Sequence, residues 1–423
     1  MEKDVAVIGG GPAGMASALK ASEDADVILL ERNEELGGIL PQCIHDGFGN
    51  FIFKKSLTGP EYAQHFIDKI KEREIDVRTD TTVLSIDKNK KIVASNPNGI
   101  FEIKAKAIIL AMGCRERTRN QILLPGTRPA GIYTAGTAQR LINIEALMLG
   151  KRIVILGSGD IGLIMARRFA LEGAEVEGVY EIMPFPGGLI RNVVQCLEDY
   201  GIPLYLSHTV INISGRKRLN GVTVARVDKK LKPVKGSERF IPCDCLILAV
   251  GLIPENELSK KIGLDIDERT LGVRVDEGME TSVPGIFACG NVVHVHDMVD
   301  DVTISAERAG ESALKYIRNI RKKYAQKEYT QNEEIKVVPG KNVRYIVPQI
   351  LRRKRFDRIT FYFRVVKEKR NVLIKISDEN DIIFERRERI VTPPEMVKVE
   401  IPSSLIYERN ATQLKIDVER EDE

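Results

Sequence analysis

Tryptophan is absent from the 423 residues, cysteine occurs six times and histidine five times. Six thiols scattered over this length do not make a disulfide framework, so a reduced, cytoplasmic protein is the expectation. No C-x2-C or similar cluster spacing occurs, and neither an iron–sulfur centre nor another metal site is expected. An excess of charge of one sign is missing too. Sixty-four Lys and Arg face 60 Asp and Glu, a balance of +4 that does not direct the whole chain to nucleic acid or to a membrane surface. Apolar runs such as residues 107–112 fall far short of the roughly 18 residues of a membrane span. The chain enters a strand-like run at once, without a charged-then-apolar leader. What is present is an ordinary globular composition, 43% hydrophobic and 29% charged, long enough for two or three domains.

Two segments share one grammar. Residues 4–32 read DVAVIGGGPAGMASALKASEDADVILLER, and residues 151–181 read KRIVILGSGDIGLIMARRFALEGAEVEGVYE. Each opens on a β-branched run, turns through glycines, continues as an Ala/Leu/Met-rich helix, and ends on a second apolar strand closed by an acidic residue. This is a duplicated βαβ unit, and such units place parallel strands in doubly wound sheets. Two more apolar strands end in glycine, AIILAMG (residues 107–113) and CLILAVG (residues 245–251). A further landmark, VPGIFACGN (residues 283–291), precedes a helix expected over residues 302–325 and a linker over residues 326–334.

In the first turn, Gly9-Gly10-Gly11-Pro12-Ala13-Gly14, the pattern needs Gly9 for the tight turn, Gly11 for close approach of a diphosphate, and Gly14 for packing of helix on sheet. The helix N-terminus then faces the phosphates with the positive end of its dipole. Glu31 follows where a carboxylate can accept from ribose hydroxyls, with Arg32 beside it. The second turn is Gly157-Ser158-Gly159-Asp160-Ile161-Gly162, with Glu181 closing its next strand and Gly251 ending the later one. A carboxylate at Glu181 accepts from a 2′-hydroxyl and repels a 2′-phosphate. The residues that follow, IMPFPG, offer no cation, so NADH is favoured over NADPH. Two such sites imply two dinucleotides. If one is a flavin and the other a nicotinamide, hydride can pass between them.

The order of these landmarks resembles the flavoproteins with two dinucleotide-binding domains, the superfamily of thioredoxin reductase and glutathione reductase, over about residues 1–325. The segments GGILPQCIHDGFG, GCRERTR and GIYTAGTAQRLIN are most similar to the FAD/NAD-binding subunits related to the sarcosine oxidase α subunit, hydrogen cyanide synthase and opine oxidases. The resemblance implies FAD across Gly9, Gly11, Gly14 and Glu31, with Gly38 near the pyrophosphate and the Val83 backbone at the adenine. It also implies Ala111 and Gly113 beneath the cofactor, a ribityl contact at Gly290-Asn291, and a helix whose first turn, with Thr303, faces the flavin. The superfamily usually has Gly-Asp where this chain has Gly-Asn; asparagine keeps an acceptor oxygen and loses the charge. The expected architecture is α/β: a discontinuous FAD domain (residues 1–118 and 276–326) and an NAD(H) domain (residues 119–275), both Rossmann-like and three-layered. A C-terminal all-β, sandwich-like module (residues 335–423) follows.

The relatives' dithiols are missing. Cys43 stands alone in GGILPQC, and GIYTAGTAQ before the second turn has no cysteine, so disulfide reduction by the usual route is not expected. Cys43 as a single redox thiol remains an alternative to a packed cysteine. Cys243 and Cys245 share one face of a strand and are read as packing. His45, His294 and His296 are the candidates for proton transfer at the flavin, against a supporting role. The tail carries 20 basic and 15 acidic residues, with RRKR at residues 352–355. The leading reading is an FAD-dependent oxidoreductase exchanging hydride with NAD(H), its other electron partner unidentified. The alternatives are an electron-transfer subunit whose C-terminal module docks a partner protein, and a Cys43-based disulfide or peroxide reductase.

Overall fold

In a computed structural model, residues 1–323, 334–353 and 356–421 are described. The chain forms two compact units, Met1–Cys114 with Pro254–Glu423, and Arg115–Ile253. The chain therefore returns to the first unit at residue 254, earlier than residue 276 as expected. The reason is burial: Ile262, Leu264, Val273 and Val275 belong to the core of the first unit.

The first unit is built on a sheet in the order Ile75–Arg78, Val27–Leu30, Glu2–Ile8, Gly99–Leu110, Lys91–Asn96, Thr82–Ile86, with Ile286–Ala288 also beside Gly99–Leu110. The central strands are parallel and read as continuous apolar runs because both faces are covered. All four side chains of Val27–Leu30 are buried, each stabilising the fold by roughly 1.5–3 kcal/mol. Helix Pro12–Ala21 starts on a proline, whose missing N–H costs nothing in a first turn. Helix Gly59–Lys71 is started by a reciprocal cap, Thr58 with Glu61. The helix expected from residue 302 begins at Val299 and is described to Lys323; residues 324–325 and the linker at 326–333 lie outside the described residues.

The second unit repeats the plan. Its parallel sheet runs Ile132–Thr134, Cys245–Leu248, Arg152–Leu156, Glu175–Glu181, Leu204–Leu206, beside a three-stranded antiparallel arm. Cys245 packs with Ile153 and Ile155, whereas Cys243 lies before the strand and packs with Leu246 and Leu248. The two thiols thus sit in different core clusters, because regular alternation begins only at Cys245.

The C-terminal module contains two sheets of five and three strands whose inner faces share one core, including Phe361, Phe363, Ile374 and Val418. Ile382–Val391, an edge strand, carries five charged residues in ten. The module packs on the rest of its unit. Arg352 donates to the Thr281 carbonyl (2.9 Å) and pairs with the fully buried Asp276 (3.4 Å), while Tyr407 donates to Glu277 (2.8 Å). Arg353 donates to the Tyr407 and Arg409 carbonyls. Arg352 and Arg353 of the RRKR run are therefore occupied within the chain; Lys354 and Arg355 lie outside the described residues.

Candidate functional site: two glycine cradles

In the first unit Gly9 has φ +103°, its N–H donates to the Leu30 carbonyl (2.8 Å), and a side chain there would strike the Ala111 carbonyl. A side chain at Gly14 would overlap the Gly9 carbonyl oxygen. Gly11 differs: a Cβ there would meet only the Gly38 Cα, at 3.7 Å. Two of the three glycines are thus required by the fold, and the third leaves room for a group from outside the chain. Glu31 is buried, and its two oxygens accept from the N–H groups of Gly10 (2.6 Å) and Asn33 (2.8 Å). The Thr81 N–H donates to the Glu31 carbonyl (2.8 Å), which brings the half-buried Val83 close behind it. Arg32 is exposed. The Ala111 N–H donates to the Ile8 carbonyl (2.9 Å), and Gly113 has φ +69°. A Cβ on Gly290 would lie 2.8 Å from that of Ala13, so the two halves of the expected FAD site, far apart in sequence, meet here. Arrangement and chemistry fit an adenine dinucleotide.

Asn291 departs from the expectation. Its Oδ1 accepts from the His296 N–H (3.0 Å), a donor of fixed identity, and the His296 ring Nδ1 lies 3.2 Å from the same oxygen. The acceptor oxygen is thus engaged inside the protein. Its Nδ2 amide donates to the Cys114 sulfur (3.7 Å). Thr303 is fully buried, and its hydroxyl is paired with the Tyr62 hydroxyl (2.7 Å). Asp300 and Asp301 lie in the first helical turn, where negative charge is favoured. Asp300 also accepts from the Phe51 N–H (2.8 Å).

The candidate proton-transfer residues separate. His45 lies against Phe48, with ring centroids 5.1 Å apart. The rings of His294 and His296 lie against each other, tilted by 41° with centroids 4.0 Å apart, and pack against Tyr345 and Tyr362 of the C-terminal module. Burial, then the neighbouring His296 and Arg364, holds the His294 ring well below its ordinary value. Burial lowers His296 to about 4. Both rings are neutral near pH 7. Around them the C-terminal module grips residues 291–301. Arg364 pairs with Asp297, Asp297 accepts from the Met396 N–H (2.6 Å), and Lys398 pairs with Asp301 (2.9 Å). Local sequence gives no sign of these partners, except that Arg364 interrupts the run of aromatic and aliphatic residues that ends its strand. Cys43 is buried, donates to the Ile39 carbonyl (3.4 Å), and is pushed up to about 12 by burial; its thiol is not a ready nucleophile.

The second unit holds the same cradle. Gly157 has φ +98° and donates to the Tyr180 carbonyl (2.8 Å), and a side chain at Gly162 would press on the Gly157 carbonyl. A Cβ on Gly159 would meet only the Ala249 carbonyl oxygen, at 4.0 Å. Buried Glu181 accepts from the N–H groups of Ser158 (2.9 Å) and Met183 (2.9 Å). Asp160 opens the helix, and its carboxylate accepts from the Leu189 N–H (2.8 Å); Ile161 is half-buried on the next position. Gly251 has φ +101° and accepts from the Arg117 N–H (2.9 Å). Among the described residues no group of three or more His, Cys, Asp and Glu is arranged to hold a metal, and no helix is long and apolar enough to cross a membrane.

The pyridine nucleotide-disulphide oxidoreductase family matches residues 3–313. The chain is 29% identical to an NADH oxidase of Methanocaldococcus jannaschii, over 75% of this chain and 70% of that protein. It is 25% identical to the hydrogen cyanide synthase subunit HcnB of Pseudomonas aeruginosa, over 73% of this chain and 68% of that protein. The structure of the thioredoxin reductase of T. acidophilum superposes with a TM-score of 0.62 at 25% identity, covering 75% of this chain and 99% of that one. The chain belongs to the pyridine nucleotide-disulphide oxidoreductase family and is an FAD-dependent NAD(P)H oxidoreductase.

Proposed function

We propose that FAD occupies the cradle of the first unit and NADH that of the second, and that the enzyme oxidises NADH without a redox-active dithiol. The observation that carries this reading is the pair of glycines, Gly11 and Gly159, that the fold itself leaves uncrowded, each beside a buried carboxylate. When bound, the two cofactors supply hydride chemistry; the protein supplies binding and orientation. Gly11 and Gly38 admit the flavin diphosphate, and Glu31 orients its ribose. Gly159 admits the nicotinamide dinucleotide, and Glu181, with no cation in the segment that follows, disfavours a 2′-phosphate. Neutral His296, against which His294 packs, supports Asn291, the residue expected at the ribityl chain. Buried, protonated Cys43 speaks against the thiol-based alternative.

Anaerobic titration with NADH and then NADPH, following the visible flavin absorption, tests this. Stoichiometric bleaching at lower NADH than NADPH concentrations is expected. A bound flavin that neither nucleotide bleaches would sink the proposal. A second reading, an electron-transfer component of a larger complex, is supported by relatives described as subunits, one of hydrogen cyanide synthase and one of opine oxidase. Full turnover by the isolated chain would count against it.

A further inference from the structure

The C-terminal module leaves a long sheet edge open. Ile382–Val391 ends the five-stranded sheet and pairs, among the described strands, with Lys369–Ser377 alone. It is ten residues long, about twice the usual strand, and it presents Ile382 and Ile390 at 51% and 41% exposure. An open edge of this length is a template for another strand. Its side chains are ordered by face. The register sets Phe384, Arg386 and Glu388 opposite the buried Ile376, Ile374 and Val372, on the inner face, and Glu385 and Arg387 opposite Lys375 and Leu373, on the outer. Arg386 donates to the Lys398 carbonyl of the facing sheet (2.8 Å) and pairs with Glu388 (2.9 Å), while Arg387 pairs with Glu421 (3.2 Å).

We propose that this edge pairs antiparallel with the same edge of a second copy of the chain, about a two-fold axis at Arg387, so that the two five-stranded sheets become one. The segment reads Phe384-Glu385-Arg386-Arg387-Glu388-Arg389-Ile390 and is its own complement. With Arg387 opposite the partner's Arg387, Arg386 stands opposite the partner's Glu388, Glu385 opposite the partner's Arg389, and Phe384 opposite the partner's Ile390. Symmetry makes each of these contacts twice. On the inner face the Arg386 and Glu388 side chains of the two copies alternate in sign around the axis. On the outer face each Arg387 keeps its own Glu421, which offsets the like charge across the axis. Neighbouring registers fail. A shift that turns inner residues against outer ones breaks the continuity of the faces. Pivoting on Arg386 sets Phe384 against the partner's Glu388, and pivoting on Glu388 sets Arg387 against the partner's Arg389. Charge blunts pairing at an open edge in general; the order of the charges here admits one register and one partner strand, its own.

The test is analytical sedimentation of the FAD-loaded full chain from about 1 to about 200 µM, the range suited to a small interface, where a monomer–dimer equilibrium is expected. Glu385→Arg sets arginine against the partner's Arg389, and Arg389→Glu sets glutamate against the partner's Glu385, twice per dimer in each case. Each substitution alone should weaken dimerisation by about tenfold or more. Mixed in equal amounts, the two variants carry complementary edges and should recover the wild-type dimerisation constant as a heterodimer. Both side chains are exposed, so flavin content and the unfolding midpoint should stay at wild-type values. A monomer at every concentration overturns the proposal and leaves the edge to a strand of another protein. A dimer that neither substitution weakens, or one that mixing does not restore, overturns it as well. Should either variant fail to fold, amide hydrogen exchange over residues 382–391 of the wild type decides: protection there must rise with protein concentration, and constant protection refutes the pairing.

Discussion

Asp297→Asn tests whether the C-terminal module holds the flavin-side segment. Asp297 and Arg364 form an ion pair whose side chains are 18% and 15% exposed. The substitution keeps the shape and removes the charge, leaving a guanidinium with only neutral partners: the Tyr345 hydroxyl (3.2 Å) and the carbonyls of Pro394 and Val295. Breaking one side of a buried pair costs about 3–5 kcal/mol. The remaining acceptors offset part of this, so a loss of about 2–3 kcal/mol in urea unfolding of the apoprotein is the expectation. Arg358→Met, which breaks a pair with Glu400 that is half open to solvent, should cost under about 1 kcal/mol. Because Asp297 lies between Asn291 and the helix Val299–Lys323, FAD binding, read by ultrafiltration, should weaken in Asp297→Asn by tenfold or more. Stability within about 0.5 kcal/mol of wild type would refute the energetics. Lost stability with unchanged FAD affinity would refute the link from module to flavin segment.

Three further outcomes follow from the same contacts. His294 and His296 are both depressed in the folded chain, so the unfolded chain binds more protons below pH 6.5. Stability is full above that value and falls as pH drops toward about 4, by on the order of 3 kcal/mol for His296; a flat urea midpoint from pH 7 to pH 5 would disprove the neutral, buried pair. Cys43→Ser should leave NADH turnover unchanged, and iodoacetamide at pH 8 should spare Cys43 in the native protein; fast labelling there would show that the thiol is not held buried and protonated. Gly14→Ala should give insoluble protein because its methyl group overlaps the Gly9 carbonyl, whereas Gly11→Ala should fold and lack flavin; equal behaviour of the two would contradict the division of roles between these glycines.

The features legible in sequence are those set by near neighbours. A glycine turn between strand and helix, a carboxylate closing the next strand and a strand ending in glycine each need only a few residues to declare themselves, and each is in place. Packing between distant segments leaves weaker traces. His294 and His296 are visible as a pair, yet their partners Tyr345, Tyr362, Arg364 and Lys398 follow 51 to 102 residues later and share no motif with them. The engaged oxygen of Asn291 has no signature in sequence, since it depends on the backbone of His296 folding back. The edge strand Ile382–Val391 hides its period under charge, the residue type that blunts pairing at an open sheet edge.

Gly187-Gly188 is a different kind of omission, because its signal is in plain view. The stretch after Glu181 draws the eye for the cation it lacks, and its glycines pass for an ordinary loop. Laid against the stretch after Glu31, the same interval and the same Gly-Gly followed by two aliphatic residues recur. In a duplicated fold each copy is the best guide to the other. Gly37 donates its N–H to the Gly10 carbonyl and Gly187 donates its N–H to the Ser158 hydroxyl. The contact is made in both, despite the change from Gly10 to Ser158, so the two loops share one constraint on their position. The backbone alone does not impose that constraint, since Gly187 lacks the positive φ that Gly37 and Gly38 share. At Gly187 the neighbours impose it: a Cβ there would lie 3.4 Å from the Gly159 nitrogen and 3.6 Å from a Glu181 oxygen.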